Sequence, residues 1–243
     1  VWKEDDGYYL VVGSRAQDGS GQILMYYSED LNQWKYVTIL DQSKNKYGKM
    51  WECPDFFPLG DKQILLVSPQ DMRAEGLEFH NGNNSIFIYG QYDKETHKFK
   101  REKITSADYG LDFYAPQTLL TQDGRRILIG WMQSWDANIT PTTFQWSGMM
   151  TIPRELTLEQ GRIYQRPVRE LENYHTNLVQ YDNVSITGST TLENIQGRIL
   201  DLLVEITGFE FDHFRIQLAK NDKYETFVQY SRKKGCLTID RTH

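Results

Sequence analysis

The sequence predicts an all-β chain, and three observations carry that expectation. Short runs rich in aromatic and β-branched residues recur along it, which suits pleated, half-buried strands. Turn signals built from Gly, Asp and Asn cut those runs at short intervals. Helical periodicity is poor throughout. The best helical stretch, ENIQGRILDLLVEI over 193–206, reads equally well as strand because of its β-branched residues.

Taken in order, YYLVVGS, ILMYYS and WKYVTIL are separated by DGSGQ and EDLNQ, and together they read as an antiparallel meander. A second unit follows with QILLVSP, a longer insertion through GLEFHNGNN, then SIFIYGQYD and, after the KETH turn, KFKREKI. A third has YAPQTLLT, a DGRR turn and ILIGWMQSW. Repeated small antiparallel sheets predict a propeller, although a sandwich fits the same periodicity. Composition shifts near Tyr174. From Asn177 on, LVQYD, SITGSTTLEN, ILDLLVEITGF, FRIQLAK, TFVQYSRKKG and CLTIDRT alternate more regularly and lack Trp. The expected organisation is therefore residues 1–174 as propeller blades and 175–243 as a second all-β module with one solvated face per sheet, cut in mid-pattern.

With 243 residues the chain can bury a substantial core, and 27 basic against 33 acidic residues give a net charge of -6. That balance argues against a nucleic-acid or anionic-membrane partner. No apolar run reaches the length of a membrane span, and no charged-then-apolar signal segment opens the chain. Cys53 and Cys236 lack any zinc-type or disulfide-framework spacing, which suits thiols in a reducing, cytoplasmic setting. Because Val1-Trp2 leads straight into a charged turn and a strand, the expectation is a chain entered inside a structural element.

Three acidic positions sit in aromatic surroundings: Glu52 in MWECPDFFPL, Asp55 three residues on, and Asp112 in LDFYAPQ. A carboxyl group pressed among apolar side chains resists ionising, as a general acid near neutral pH must. A partly solvated acidic residue in a strand-to-loop corner is the plainer alternative. Glycoside hydrolysis needs two carboxyl groups across the scissile bond, about 5–5.5 Å apart for retention and about 6.5–9.5 Å for inversion. Sugar rings also stack on aromatic faces, which makes Trp51, Tyr114, Trp131 and Trp135 candidate platforms, each with core packing as its alternative. Arg125-Arg126 reads as a hairpin turn. Lys44, Lys46 and Lys49 read as a solvated loop from which a phosphorylated substrate is within reach. The five histidines show no HExxH spacing, and neither a GxSxG elbow nor a glycine-rich phosphate loop occurs, so no metal and no cofactor is expected.

In this order, WECPDFFPL, LDFYAPQTL, GRRILIGWMQSW and MTIPRELTL resemble fructan-hydrolysing glycoside hydrolase family 32, which includes invertases, levanases and sucrose-6-phosphate hydrolases. The resemblance runs from Val1 to about Tyr174, and YSRKKGCLTIDRT is similar to the family's C-terminal module. It implies a five-bladed propeller followed by a β-sandwich, and a retaining mechanism on terminal β-D-fructofuranosides. By motif, Glu52 is similar to the general acid/base. Asp112 matches the aspartate of the family's DFYA motif, in substrate binding or pKa tuning, and Trp131 an aromatic that shapes the fructosyl pocket. Tyr114, Trp51 and Asp55 are further expected pocket residues, with Asp55 tuning Glu52. The nucleophile of an NDPNG-type motif and the Arg-Asp-Pro motif are absent, so about two blades are expected to be missing and the chain alone to be inactive. A carbohydrate-binding remnant without turnover and an inverting arabinan- or xylan-active relative remain the alternatives. A second copy of the chain is a further candidate partner, while the sandwich is expected to act in packing.

Overall fold

A computed structural model describes residues 1–136, 142–208 and 210–242. The chain divides into two compact units, Val1–Tyr174 and His175–His243. Among the described residues the first holds three four-stranded antiparallel sheets, each a meander of consecutive strands. Blade 1 comprises β1 (Trp2–Glu4), β2 (Gly7–Arg15), β3 (Gly21–Ser28) and β4 (Lys35–Gln42). Blade 2 comprises β5 (Trp51–Leu59), β6 (Lys62–Pro69), β7 (Ile86–Asp93) and β8 (Lys98–Ser106). Blade 3 comprises β9 (Tyr114–Leu120), β10 (Arg126–Trp131), β11 (Arg154–Glu159) and β12 (Arg162–Pro167), and a 3-10 turn over Arg169–Tyr174 ends the unit. The all-β class and the propeller-type blades agree with the sequence. Among the described residues no helix is long and apolar enough to cross a membrane.

Blade 2 is buried on both faces, which explains why QILLVSP is continuously apolar rather than alternating. Leu65 and Val67 of β6 join Phe56, Ile86 and Ile88 in a core shared with Tyr9, Val11, Ile23, Met25 and Leu40 of blade 1. Their neighbours Ile64 and Leu66 point the other way, and with Phe57, Phe87 and Tyr89 they pack on Phe113, Leu128 and Leu156 of blade 3. The two-residue period of a strand thus supplies two separate cores from one sheet.

Trp51 seals the first of these cores. Its side chain is 0 % exposed, and its Nε1 donates to the Tyr47 carbonyl at 2.6 Å. Blade 1 accommodates it with glycine: a Cβ on Gly21 would lie 2.4 Å from the indole Cδ1, and one on Gly13 would lie 2.1 Å from the Trp51 carbonyl oxygen. The sugar-stacking role expected for Trp51 is therefore corrected, because a ring with no exposed surface offers no face to a ligand.

The second unit differs from expectation. Among the described residues one three-stranded sheet forms, from β13 (His213–Leu218), β14 (Thr226–Ser231) and β15 (Cys236–Asp240). These are the segments FRIQLAK, TFVQYSRKKG and CLTIDRT. LVQYD, SITGSTTLEN and the described part of ILDLLVEITGF form neither strand nor helix. Alternation makes a strand only when a neighbour takes up its backbone hydrogen bonds and a core takes up its apolar face. Here Leu178, Ile199 and Leu203 are 91 %, 96 % and 98 % exposed, and left-handed residues at Asn183, Gly188 and Asn194 interrupt the runs.

The wedge at Trp51 gives a stability test. Gly13→Ala should cost about 3 kcal/mol, because the atom it meets belongs to a strand backbone that cannot swing aside. Gly124→Ala, at a left-handed turn residue (φ 84°) with open space around it, should cost only about 1 kcal/mol. Urea unfolding midpoints of the two variants would show this ranking.

Candidate active site

Glu52 lies on β5, and two prolines in WECPDFFPL explain why the segment reads as a corner rather than as the strand it is. The ladder with β6 pairs Glu52 with Ser68 and Asp55 with Leu66. Two residues, Cys53 and Pro54, therefore oppose the single residue Val67, which defines a β-bulge. Pro54 has no N–H to lose there, and Cys53 takes a left-handed backbone, φ 47°. In an unbroken strand Glu52 would share the face of Phe56, towards blade 1. The extra residue moves it onto the face of Asp55 and Phe57, towards blade 3.

Blade 3 meets it with the same device. On β9, Ala115 and Pro116 oppose the single residue Gly130, since Tyr114 pairs with Trp131 and Gln117 with Ile129. Ala115 is also left-handed, φ 51°. Glu-Cys-Pro-Asp and Tyr-Ala-Pro-Gln are thus equivalent bulges on the first strands of neighbouring blades. The shared pattern, a small left-handed residue followed by proline, is visible in the sequence once the blades are aligned.

Contacts between the bulges are specific. The Tyr114 hydroxyl donates to Glu52 Oε2 at 2.8 Å and lies 3.1 Å from the Ser68 carbonyl. Ala115 N donates to Ser68 Oγ at 3.1 Å. Gln117 Nε2 donates to the Cys53 carbonyl at 2.8 Å. Asp55 Oδ2 accepts from Thr118 N at 2.8 Å and from Thr118 Oγ1 at 2.6 Å. Burial, and then the hydrogen bond to Glu52, push the Tyr114 phenol well above its usual pKa, so it stays a neutral donor. Burial and the Glu52 carboxylate likewise raise the Cys53 thiol.

Two expected roles change with this geometry. Tyr114 is 2 % exposed, so it holds the Glu52 carboxylate instead of offering a sugar a stacking surface. Asp55 is committed to Thr118 and ties blade 2 to blade 3, with the Arg126 guanidinium nearby, 4.8 Å from the Phe57 ring centroid. Asp112 lies half-buried two residues before β9. Trp131 ends β10 opposite Tyr114, and its ring meets that of Trp135 edge to face at 5.2 Å, with Trp135 70 % exposed. Ser68, Gln117 and Thr118 are site residues that sequence reasoning missed. Their own motif neighbours were the only signal.

The meander brings the connections 43–50, 70–85, 107–113 and the described stretches 132–136 and 142–153 to the Glu52 end of the blades, since β5 and β9 begin there and β6 and β10 end there. Of these, 70–85 is an ordered excursion bridged at Met72–Gly82 and Glu75–Phe79, and Asp136 Oδ2 accepts from Asn83 N and Nδ2 at 2.7 Å each. The lysine-bearing connection 43–50 is on the same rim, where the Lys46 ammonium lies 5.0 Å from the Tyr47 ring centroid. Arg125 is structural, reaching Asp123 and Glu170 at 2.8 and 2.5 Å.

A carboxylate and aromatic rings gathered at one end of propeller blades are of the kind that glycoside hydrolases build. Residues 1–167 match the family model described as the glycosyl hydrolases family 32 N-terminal domain, and the chain belongs to that family. The sucrose-6-phosphate hydrolase of Staphylococcus xylosus is 34% identical over 242 residues, 100% of this chain and 49% of that protein. The Escherichia coli sucrose-6-phosphate hydrolase is 36% identical over 220 residues, 90% of this chain and 46% of that protein. Among solved structures, a β-fructofuranosidase of Bombyx mori superposes with a TM-score of 0.70 at 38% identity, covering 74% of this chain and 38% of that one. The chain spans about half the length of the curated relatives it matches.

Tyrosine titration tests the burial described above. Burial pushes Tyr92 up to about 12, with Glu4, Asp6 and Asp93 adding to it. Tyr9 and Tyr114 are raised further, chiefly by burial. A folded-state pKa above the unfolded value of about 10 means that the folded chain keeps a proton the unfolded chain releases. This stabilisation is complete below pH 10 and is lost as pH rises through the folded values. Urea midpoints should therefore fall steeply above pH 10, and less steeply in Tyr114→Phe.

Proposed function

We propose that this chain carries the acid/base half of a retaining β-fructofuranosidase site, with Glu52 as the proton donor and acceptor. The observation that supports it most directly is the bulge that turns Glu52 out of the blade 1 core, combined with the buried Tyr114 hydroxyl that fixes one carboxylate oxygen. Holding Oε2 in this way leaves Oε1 to address the glycosidic oxygen. Protonated Glu52 donates to the leaving oxygen as a carboxylate attacks the anomeric carbon of fructose, and then takes a proton from the incoming water. Asp112 binds fructosyl hydroxyls, and Trp131 shapes the fructosyl pocket beside it.

The substrate is a terminal β-D-fructofuranoside: sucrose, sucrose 6-phosphate or a fructan. Relatives named sucrose-6-phosphate hydrolase and a variant of the Bombyx mori enzyme solved with sucrose support this class. Cys53 and Cys236 are both free thiols, which supports a reducing, cytoplasmic setting.

The motifs expected to hold the nucleophile do not occur in these 243 residues, and neither half of a double displacement works well without the other. The chain alone should release no fructose from sucrose or sucrose 6-phosphate. In a polypeptide that joins it to a nucleophilic carboxylate, Glu52→Gln should lower kcat by about 10²- to 10⁴-fold. A normal rate in that variant rejects Glu52 as the acid/base. Calorimetric binding of fructose without turnover in the longer polypeptide would favour a carbohydrate-binding role.

A further inference from the structure

The direction of Glu52 depends on the backbone of the next residue. Cys53 is left-handed at φ 47°, a conformation that a residue with a Cβ adopts only when its surroundings hold it there. The peptide that follows leads into Pro54, which has no N–H, so β6 cannot grip it from both sides as it would a regular ladder residue. Its carbonyl is instead taken by Gln117 from the equivalent bulge of blade 3. The two hydrogens of the Gln117 side-chain amide are both in use, since Nε2 lies 2.8 Å from the Cys53 carbonyl and 3.0 Å from the Pro116 carbonyl. One amide group thus bridges the two proline bulges, next to the Tyr114 hydroxyl that holds the carboxylate itself.

We propose that Gln117 is a positioning residue for Glu52: by bridging the Cys53 and Pro116 carbonyls it locks the β5 bulge and so sets the direction of the Glu52 carboxylate. Its catalytic consequence rests on the acid/base reading above, but the lock is a property of the backbone and has a readout of its own. Cys53, exposed as a residue, is part of the bulge. Partial burial and the Glu52 charge hold the Cys53 thiol above its ordinary pKa, and Cys53 in turn adds to the rise of the Tyr114 phenol. When the bulge relaxes, the thiol gains solvent and loses its carboxylate neighbour, and both changes bring it closer to reaction.

The experiment is iodoacetamide alkylation of the 243-residue chain from pH 7 to 10, with Cys53 and Cys236 resolved by mass spectrometry. Gln117→Met keeps the length of the side chain and adds no charge but removes the donor. It should speed Cys53 alkylation at pH 7.5 by about fivefold or more and move the midpoint of its pH profile downwards, while Cys236 keeps its rate. Gln117→Ala should do the same, and the urea midpoint identifies any variant whose change comes from unfolding. Equal Cys53 rates and pH midpoints in the parent chain and in whichever folded variant is measured overturn the lock. This result is independent of the hydrolysis assay: a failed lock leaves Glu52 as the acid/base, and a failed acid/base leaves the lock.

Discussion

The contact between β5 and β9 is the constraint on which the rest of the site depends. Two inner strands from different sheets have no ladder between them, so nothing in regular β geometry aligns them. Paired bulges with complementary side chains do so instead. Asp55 with Thr118, Ser68 with Ala115 and Tyr114 with Glu52 cross the seam between blades 2 and 3. Ser68 and Tyr114 are buried and the others partly so, and their partners replace the hydrogen bonds that solvent would have made, so misalignment would leave buried polar groups unmatched. The seam therefore aligns the blades as well as joining them.

On its other face, blade 2 is aligned by shape as well as by the ion pairs Arg101–Asp41 at 3.1 Å and Lys94–Glu4 at 2.7 Å. Trp51 fills the space that Gly13 and Gly21 leave open in blade 1, and a rigid indole in a glycine-lined slot tolerates little sliding. Trp51 and Glu52 are adjacent, so consecutive residues key blade 2 to its two neighbours in opposite directions. This is why an acidic residue can follow directly on the most buried tryptophan of the unit. The tryptophan takes the apolar face, and the bulge gives the carboxylate the other.

Much of this was legible in the sequence, for identifiable reasons. Strands such as ILMYYS and SIFIYGQYD are carried by local composition and by the turns that bound them, and both signals are short-range. WECPDFFPL was harder, because proline ordinarily argues against an inner strand and only the bulge reconciles Pro54 with one. The segments from 178 to 208 present the opposite case. Their alternation is genuine, yet among the described residues no neighbouring strand pairs with it, and alternation alone cannot supply one.

The site residues divide along the same line. Glu52 and Trp131 could be proposed from sequence because a residue's chemistry and its motif are local. Trp51 and Asp55 were assigned to the pocket for being aromatic or acidic beside Glu52, and Tyr114 for its place in the DFYA motif, but burial and partner choice are decided across the chain. Tyr114 is 62 positions from Glu52 and Thr118 is 63 from Asp55, separations at which spacing says nothing. What sequence does contain is the repetition: a small residue and a proline between two side chains that must face the neighbouring blade. Reading ECPD and YAPQ as one structural device, used once to present a carboxylate and once to present its hydroxyl partner, turns that repetition into geometry.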